Sequence, residues 1–201
     1  MDEAGLWASG ERRLWQAAAD RYAAVIAAQG VARLPELDAW YRGKLPDAIT
    51  RRRPRFVTSD ELIRVTEWKM ARGVWRQRNL LLVRSNAADL VEQTSREALS
   101  VSSDPVAPIL LLSRLAGVGP ATASAVASAA APDVYPFFDE LVAAQAPGLG
   151  AVAFTIPYYR RYADALRARA AALGNGWTPT LVERALWSHA GGKAGLGWQG
   201  R

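Results

Sequence analysis

The chain has 201 residues, half of them hydrophobic and 22% charged, enough for one sizeable core or two small lobes of an ordinary globular protein. The absence of cysteine excludes disulfides, iron–sulfur clusters and thiolate zinc sites, and with one histidine, His189, no metal site is expected and chemistry falls to carboxylates, hydroxyls, amines and backbone groups. The net charge of +6 sits in one place: residues 42–84 hold twelve Lys or Arg against four Asp or Glu, a local +8, while thirteen basic and fifteen acidic residues elsewhere net −2, which points to a polyanionic partner such as nucleic acid.

Apolar residues recur at helical spacing throughout, so the expected class is all-α, with one helical domain over 1–190 and a flexible tail at 191–201. An alanine-rich amphipathic helix over 11–29 ends at Gly30, and a short helix over 35–42 presents Trp40 and Tyr41. Pro54 makes the RRRPR run at 51–55 extended. Thr58 and Glu61 form a capping box that opens a helix running to Arg72 and stopping at Gly73. Helices over 76–84 and 86–99 follow, then the loop SVSSDP. Pro132 and Pro136 bound a link before a helix at 138–145, and PGLG at 147–150 breaks the chain again. Helices over 157–172 and 180–189 complete the set, the last opened by Thr180 and Glu183 as a second capping box. No apolar run approaches bilayer length, and the acidic N-terminus has no signal-peptide core; the expected location is cytoplasmic, nucleoid-associated in a bacterium, with no membrane partner.

The most informative stretch is LSRLAGVGPATASAV at 112–126, inside a helix-hairpin-helix expected over 106–130. Gly117 and Gly119 permit a tight hairpin whose backbone approaches another surface, and Val118 between them plugs the gap between the helices. Pro120 suits the first turn of the second helix, leaving N–H groups there for an anion such as a DNA phosphate.

Asp139 follows Gly119 by twenty residues, in the run VYPFFDEL. Hairpin, spacing and run together resemble the helix-hairpin-helix DNA glycosylase superfamily, and locally its alkylated-base branch, in which an aspartate at this distance is catalytic. The resemblance is at motif strength over residues 105–145. Bifunctional members carry a lysine two residues after the second glycine; Ala121 stands there, which implies no Schiff-base lyase step. The runs VTSDELIRVTEWKMARG, LLLVRSN and VERALWS are similar to an uncharacterised family of helical hairpin proteins, a resemblance that bears on fold alone.

What the resemblance implies is a DNA-binding, monofunctional glycosylase excising damaged bases from duplex DNA. Breaking an N-glycosidic bond builds positive charge on the sugar, which a carboxylate stabilises directly or by activating water, with the base rotated into an aromatic pocket. Asp139 is the candidate carboxylate, and Tyr135, Phe138, Trp68 and Tyr158 are candidate pocket walls. The hairpin backbone at Gly117, Val118, Gly119 and Ala121 would grip phosphate, its carbonyls holding a monovalent cation. Arg52, Arg53, Lys69, Arg72, Arg76 and Arg78 are the candidate phosphate contacts. Bland readings stand beside each: Asp139 as an ordinary helix-dipole residue, Trp68 as core, the arginines as solvated surface. The alternatives in function are a nucleic-acid-binding module without chemistry, or a helical protein that binds another protein.

Overall fold

The computed structural model describes residues 5–101 and 104–195. Every regular element among them is helical, as the periodicity predicts. A turn at Leu6–Ala8 precedes α1 (Arg12–Asp20), α2 (Tyr22–Ala27) and α3 (Leu34–Ala39); a π-helical turn, Trp40–Lys44, leads directly into α4 (Leu45–Arg51). Next come α5 (Ser59–Arg72), α6 (Gln77–Arg84), α7 (Ala88–Ser100), α8 (Ala107–Leu112) and α9 (Pro120–Ala130). The chain continues through α10 (Glu140–Ala143), α11 (Ile156–Leu173), α12 (Pro179–His189) and α13 (Gly192–Gly195).

The core is organised around α9, whose residues from Ala121 to Ala129 are all buried. Its small side chains, PATASAVASAA, carry no polar face; a helix apolar all round has to be enclosed, and α4, α5 and α8 pack against it. The α5 and α9 helices run antiparallel. Arg55, just before α5, donates to the Ala130 carbonyl at the end of α9, while Gly73 after α5 and Gly119 before α9 line one cavity. At 1.5 Å per residue, the fourteen residues of α5 hold the two ends about 21 Å apart. On the other side, α12 packs between α1 and α11.

Local signals fix several boundaries as expected. Both halves of the capping box form: Glu61 N–H donates to Thr58 Oγ1 at 3.2 Å and Thr58 N–H to the Glu61 carboxylate at 2.9 Å, and α5 ends before Gly73. Elsewhere the structure departs from the sequence reading. The helix expected over 11–29 is two pieces, because ψ of −9° at Arg21 tightens the turn between them. The one expected over 35–42 continues to Arg51. Pro46 has no N–H to return to the preceding turn, and the π-helical turn absorbs the mismatch, Leu45 N–H reaching back to the Trp40 carbonyl.

The expected Thr180–Glu183 capping box does not form. Pro179 takes the first turn, so Thr178 becomes the N-cap, accepting from Leu181 N–H at 3.1 Å, and α12 starts earlier than expected. Thr180 instead donates to the Tyr135 carbonyl, and Glu183 turns into the core. Within the stretch expected as a tail, Gly192–Gly195 form a helical turn whose Lys193 is ion-paired with Glu140. The rest of that stretch, 196–201, lies outside the described residues.

Candidate active site

The hairpin forms from α8, the turn 113–119 and α9, and its two glycines do different work. Gly117 has φ of +75°, and a Cβ there would lie 2.6 Å from the Asn79 carbonyl oxygen and 2.8 Å from Leu82 Cβ. The close approach that glycine permits is therefore to α6 of the same chain. Asn86 locks the turn from the end of α6: its side chain accepts from Ala116 N–H at 2.9 Å and donates to the Ala116 carbonyl at 3.0 Å. Val118 is buried, as a plug should be. Gly119 is exposed, with nothing within 4 Å of a Cβ built on it. It provides no side-chain cap for α9, so the first amides of that helix, at Ala121 and Thr122, lack an intrahelical acceptor where both residues line a cavity.

An extended segment, 135–139, brings Asp139 to the same cavity. Three hydroxyls fix its backbone. Ser124 Oγ of α9 accepts from Phe138 N–H at 2.9 Å, and Tyr162 and Tyr159 of α11 donate to the carbonyls of Phe137 at 2.6 Å and Pro136 at 3.2 Å. Asp139 is then the N-cap of α10, one carboxylate oxygen accepting from Leu141 N–H at 2.8 Å. Its other oxygen lies 3.6 Å from Nε of Arg72. The residue is 6% exposed, and what remains open faces the cavity. The helix expected over 138–145 is thus shorter, and Asp139 stands at its threshold.

Arg72 is the hinge of a buried charge network. It reaches from the last turn of α5, is fully enclosed, and pairs with Glu183 of α12 on one side and Asp139 on the other. The Trp187 ring lies 4.4 Å from its guanidinium carbon. Burial works against the Arg72 charge, but Glu183, Tyr22 and Asp139 outweigh it and raise its pKa above the ordinary value. Burial likewise holds the Glu183 carboxyl above its ordinary pKa, with Arg72 and then Arg42 opposing. A second group sits alongside: Asp38 accepts from Tyr22 Oη at 2.7 Å, from Trp68 Nε1 at 2.9 Å and from Arg42. Enclosed this way, Arg72 cannot meet a phosphate, which corrects its assignment as a DNA contact. Glu183 was missed because the sequence shows it only as a helix-start acid; its partner lies 111 positions away.

The cavity, about 330 Å³, is bounded by Gly119 to Thr122 at the start of α9, by Phe137 to Glu140, by Lys69, Gly73, Val74, Arg76 and Asn79, and by Phe154 and Lys193. Of the pocket walls expected from sequence, Phe138 is present. Trp68 is not: it is fully buried, stacked on Tyr41 with centroids 3.6 Å apart, and belongs to the core. Tyr135 donates to the Asp104 carbonyl and Tyr158 packs on Phe138 from behind, so neither lines the space. Phe137, next to Phe138 in the same aromatic run, and Phe154 complete the wall. Phe154 is 47% exposed, and Trp75, 49% exposed, sits between the lining residues Val74 and Arg76.

The basic segment is dispersed by folding. Arg42, Arg51, Arg52, Arg64, Arg72 and Arg84 are all ion-paired with carboxylates. Arg52 grips Glu61 with both nitrogens at 2.8 and 2.7 Å and donates to the Phe56 carbonyl, so it is not poised for phosphate. Arg53 lies at the far end of α5, in a separate groove with Arg55 and Arg96. Lys69 and Arg76 reach the cavity, and Arg78 is exposed beyond them on α6. Among the described residues these three form no ion pair. Burial and then Arg76 lower the Lys69 pKa, with Asp139 opposing; burial lowers that of Lys193, again opposed by Asp139. No group of His, Asp or Glu side chains suited to a metal ion occurs among the described residues.

Comparison of the chain with family models, curated proteins and solved structures yields no match.

Proposed function

We propose that this protein binds duplex DNA through the hairpin and the cationic edge of the cavity, and excises a damaged base with Asp139. The observation that carries this is the convergence of four elements on one space: uncapped amides at the start of α9, a carboxylate held by Arg72, phenylalanine walls, and cations on the rim. At about 330 Å³ the space lies at the lower end of small-molecule sites, a scale suited to one extruded base rather than a longer ligand.

In this proposal the amides of α9, with Lys69 and Arg76, receive backbone phosphate and hold the duplex beside the cavity. The base turns in against Phe137, Phe138 and Phe154. As the bond from base to sugar breaks, positive charge grows on the sugar, and the Asp139 carboxylate stabilises it or takes a proton from the attacking water. Arg72 and the Leu141 amide fix the direction of that carboxylate without touching the substrate. A metal is not needed for these roles.

The test is base release from a panel of damaged duplexes, with binding to the same DNA measured alongside. Asp139→Asn is expected to lower release by about 10²-fold or more while the duplex stays bound. Full release by the variant removes Asp139 from the chemistry. Salt-sensitive binding without release by the native protein would leave a DNA-binding module without chemistry.

A further inference from the structure

The group in the cavity with hydrogen-bonding capacity to spare is Lys193. It lines the space from α13 with its side chain 9% exposed, and its partner Glu140 is the more open of the two at 43%. An ammonium carries three donors. Among the described residues, Lys193 donates one hydrogen bond, to Glu140. A nearly enclosed ammonium in that state is completed by further acceptor oxygens, and the space it lines is the cavity.

We propose that the cavity takes a neutral base bearing carbonyl oxygens, a deaminated or oxidised pyrimidine, and that Lys193 selects it over cationic N-alkylated bases. This rests on the base-excision proposal above, and departs from the alkylated-base expectation drawn from the VYPFFDEL run. A cationic base is held by unbalanced negative charge or by an open aromatic face. Here each carboxylate of the cavity has its own cation: Arg72 lies 3.6 Å from Asp139, and Lys193 is paired with Glu140. The Phe137 ring already has the Arg72 guanidinium carbon 5.2 Å from its centre, and Phe138 is packed against Tyr158, Tyr159 and Tyr162. Among the described residues no tryptophan, the stronger host for a cation, lines the space. A pyrimidine with carbonyl groups meets complementary partners instead. Lys193 offers N–H donors to an oxygen, and Asn79, also in the wall, carries a donor and an acceptor in one amide, the complement of a –CO–NH– edge.

The same ammonium serves the departure of such a base. As the bond between C1′ and the ring nitrogen breaks, its electron pair stays with the base, which leaves as an anion with charge on its carbonyl oxygens. Lys193 meets that charge as it forms. Water adds to C1′, its proton passes to Asp139 and then through solvent to the base anion. One water is consumed and a neutral base is released. An N-alkylated base enters as a cation and leaves neutral, so a cation beside it opposes entry and does nothing for departure.

The experiment measures single-turnover base release by the full chain from duplexes carrying uracil, hydroxyuracil, ethenoadenine or N7-methylguanine. Each rate is divided by that of the same duplex without protein, which removes the different lability of the bases. The acceleration for the two pyrimidines is expected to exceed that for N7-methylguanine by about tenfold or more, the scale of one misplaced like charge. Lys193→Met, with its fold checked by circular dichroism, is expected to lower the ratio of uracil to N7-methylguanine acceleration about tenfold, and Lys193→Arg to restore it. A merely structural lysine would lower both accelerations together and leave their ratio unmoved. An unmoved ratio in folded Lys193→Met overturns the proposal, as does preference of the native protein for N7-methylguanine or ethenoadenine; base excision stands in either case. No release from any of the duplexes brings down base excision and this proposal with it.

Discussion

The residue that decides the state of this site is Arg72, because two carboxylates from different parts of the chain share it. Removing one member of a buried pair leaves the other charged, enclosed and unpaired, which costs about 3–5 kcal/mol. Arg72→Met is expected to lower stability by that amount in chemical denaturation, a large share of the ~5–15 kcal/mol of a typical domain. Adding Glu183→Leu should recover much of the loss, since an apolar pair of similar volume avoids the desolvation of both charges. Base release should not recover, because Asp139 still lacks the cation that directs it. Recovery of both would make Arg72 a packing residue alone. At this scale Asp139 was legible in the sequence, as a carboxylate at a fixed distance from the hairpin. Glu183 was not, since three local residues suffice to suggest a helix cap and nothing local reveals a partner on α5.

Among the elements, the hairpin was the most legible and the most instructive in detail. Gly-Val-Gly predicts a tight turn with close approach, and the turn is present. What local sequence could not specify is which surface each glycine approaches. Gly117 meets α6, in a left-handed conformation with the Asn79 carbonyl where a Cβ would go; Gly119 meets open space. Gly117→Ala is therefore expected to destabilise the fold by about 3 kcal/mol, through backbone strain and overpacking. Gly119→Leu should change stability by no more than ~0.5 kcal/mol, as an open surface site, yet weaken duplex binding roughly tenfold by covering the α9 amides, a difference of about 1.4 kcal/mol. Denaturation and binding titrations of the two variants test this directly; equal effects on both properties would contradict the division of labour. The π-helical turn before α4 and the start of α12 were misjudged for one reason. In each, a proline changes the frame of helix hydrogen bonds; before α12 it also moves the cap from Thr180 to Thr178.

Over the whole molecule, the clustering of charge along the sequence overstates its clustering in space. Antiparallel packing of α5 on α9 sends Arg53 to one end and Lys69 and Arg76 to the other, and carboxylates neutralise half of the segment's twelve cations locally. Binding governed by Lys69, Arg76 and Arg78 should release few counterions. The slope of log K against log salt is then expected near −3, at about −0.9 for each phosphate neutralised. A slope near −10 would mean that the entire basic segment lies along the DNA. The all-helical class could be read from periodicity, but this geometry could not, because charge composition records neither which end of a helix a residue occupies nor whether an acid waits beside it.

Trp75 gives the molecule an optical asymmetry. Among the described residues, Trp15, Trp68 and Trp187 are fully buried and Trp177 nearly so, whereas Trp75, between two residues that line the cavity, stands half in water. Among the described tryptophans, its emission is the component that a soluble quencher reaches most readily. Quenching and spectral shift of that red-edge component on addition of DNA would therefore show, without a label, whether a ligand arrives beside residues 74–76.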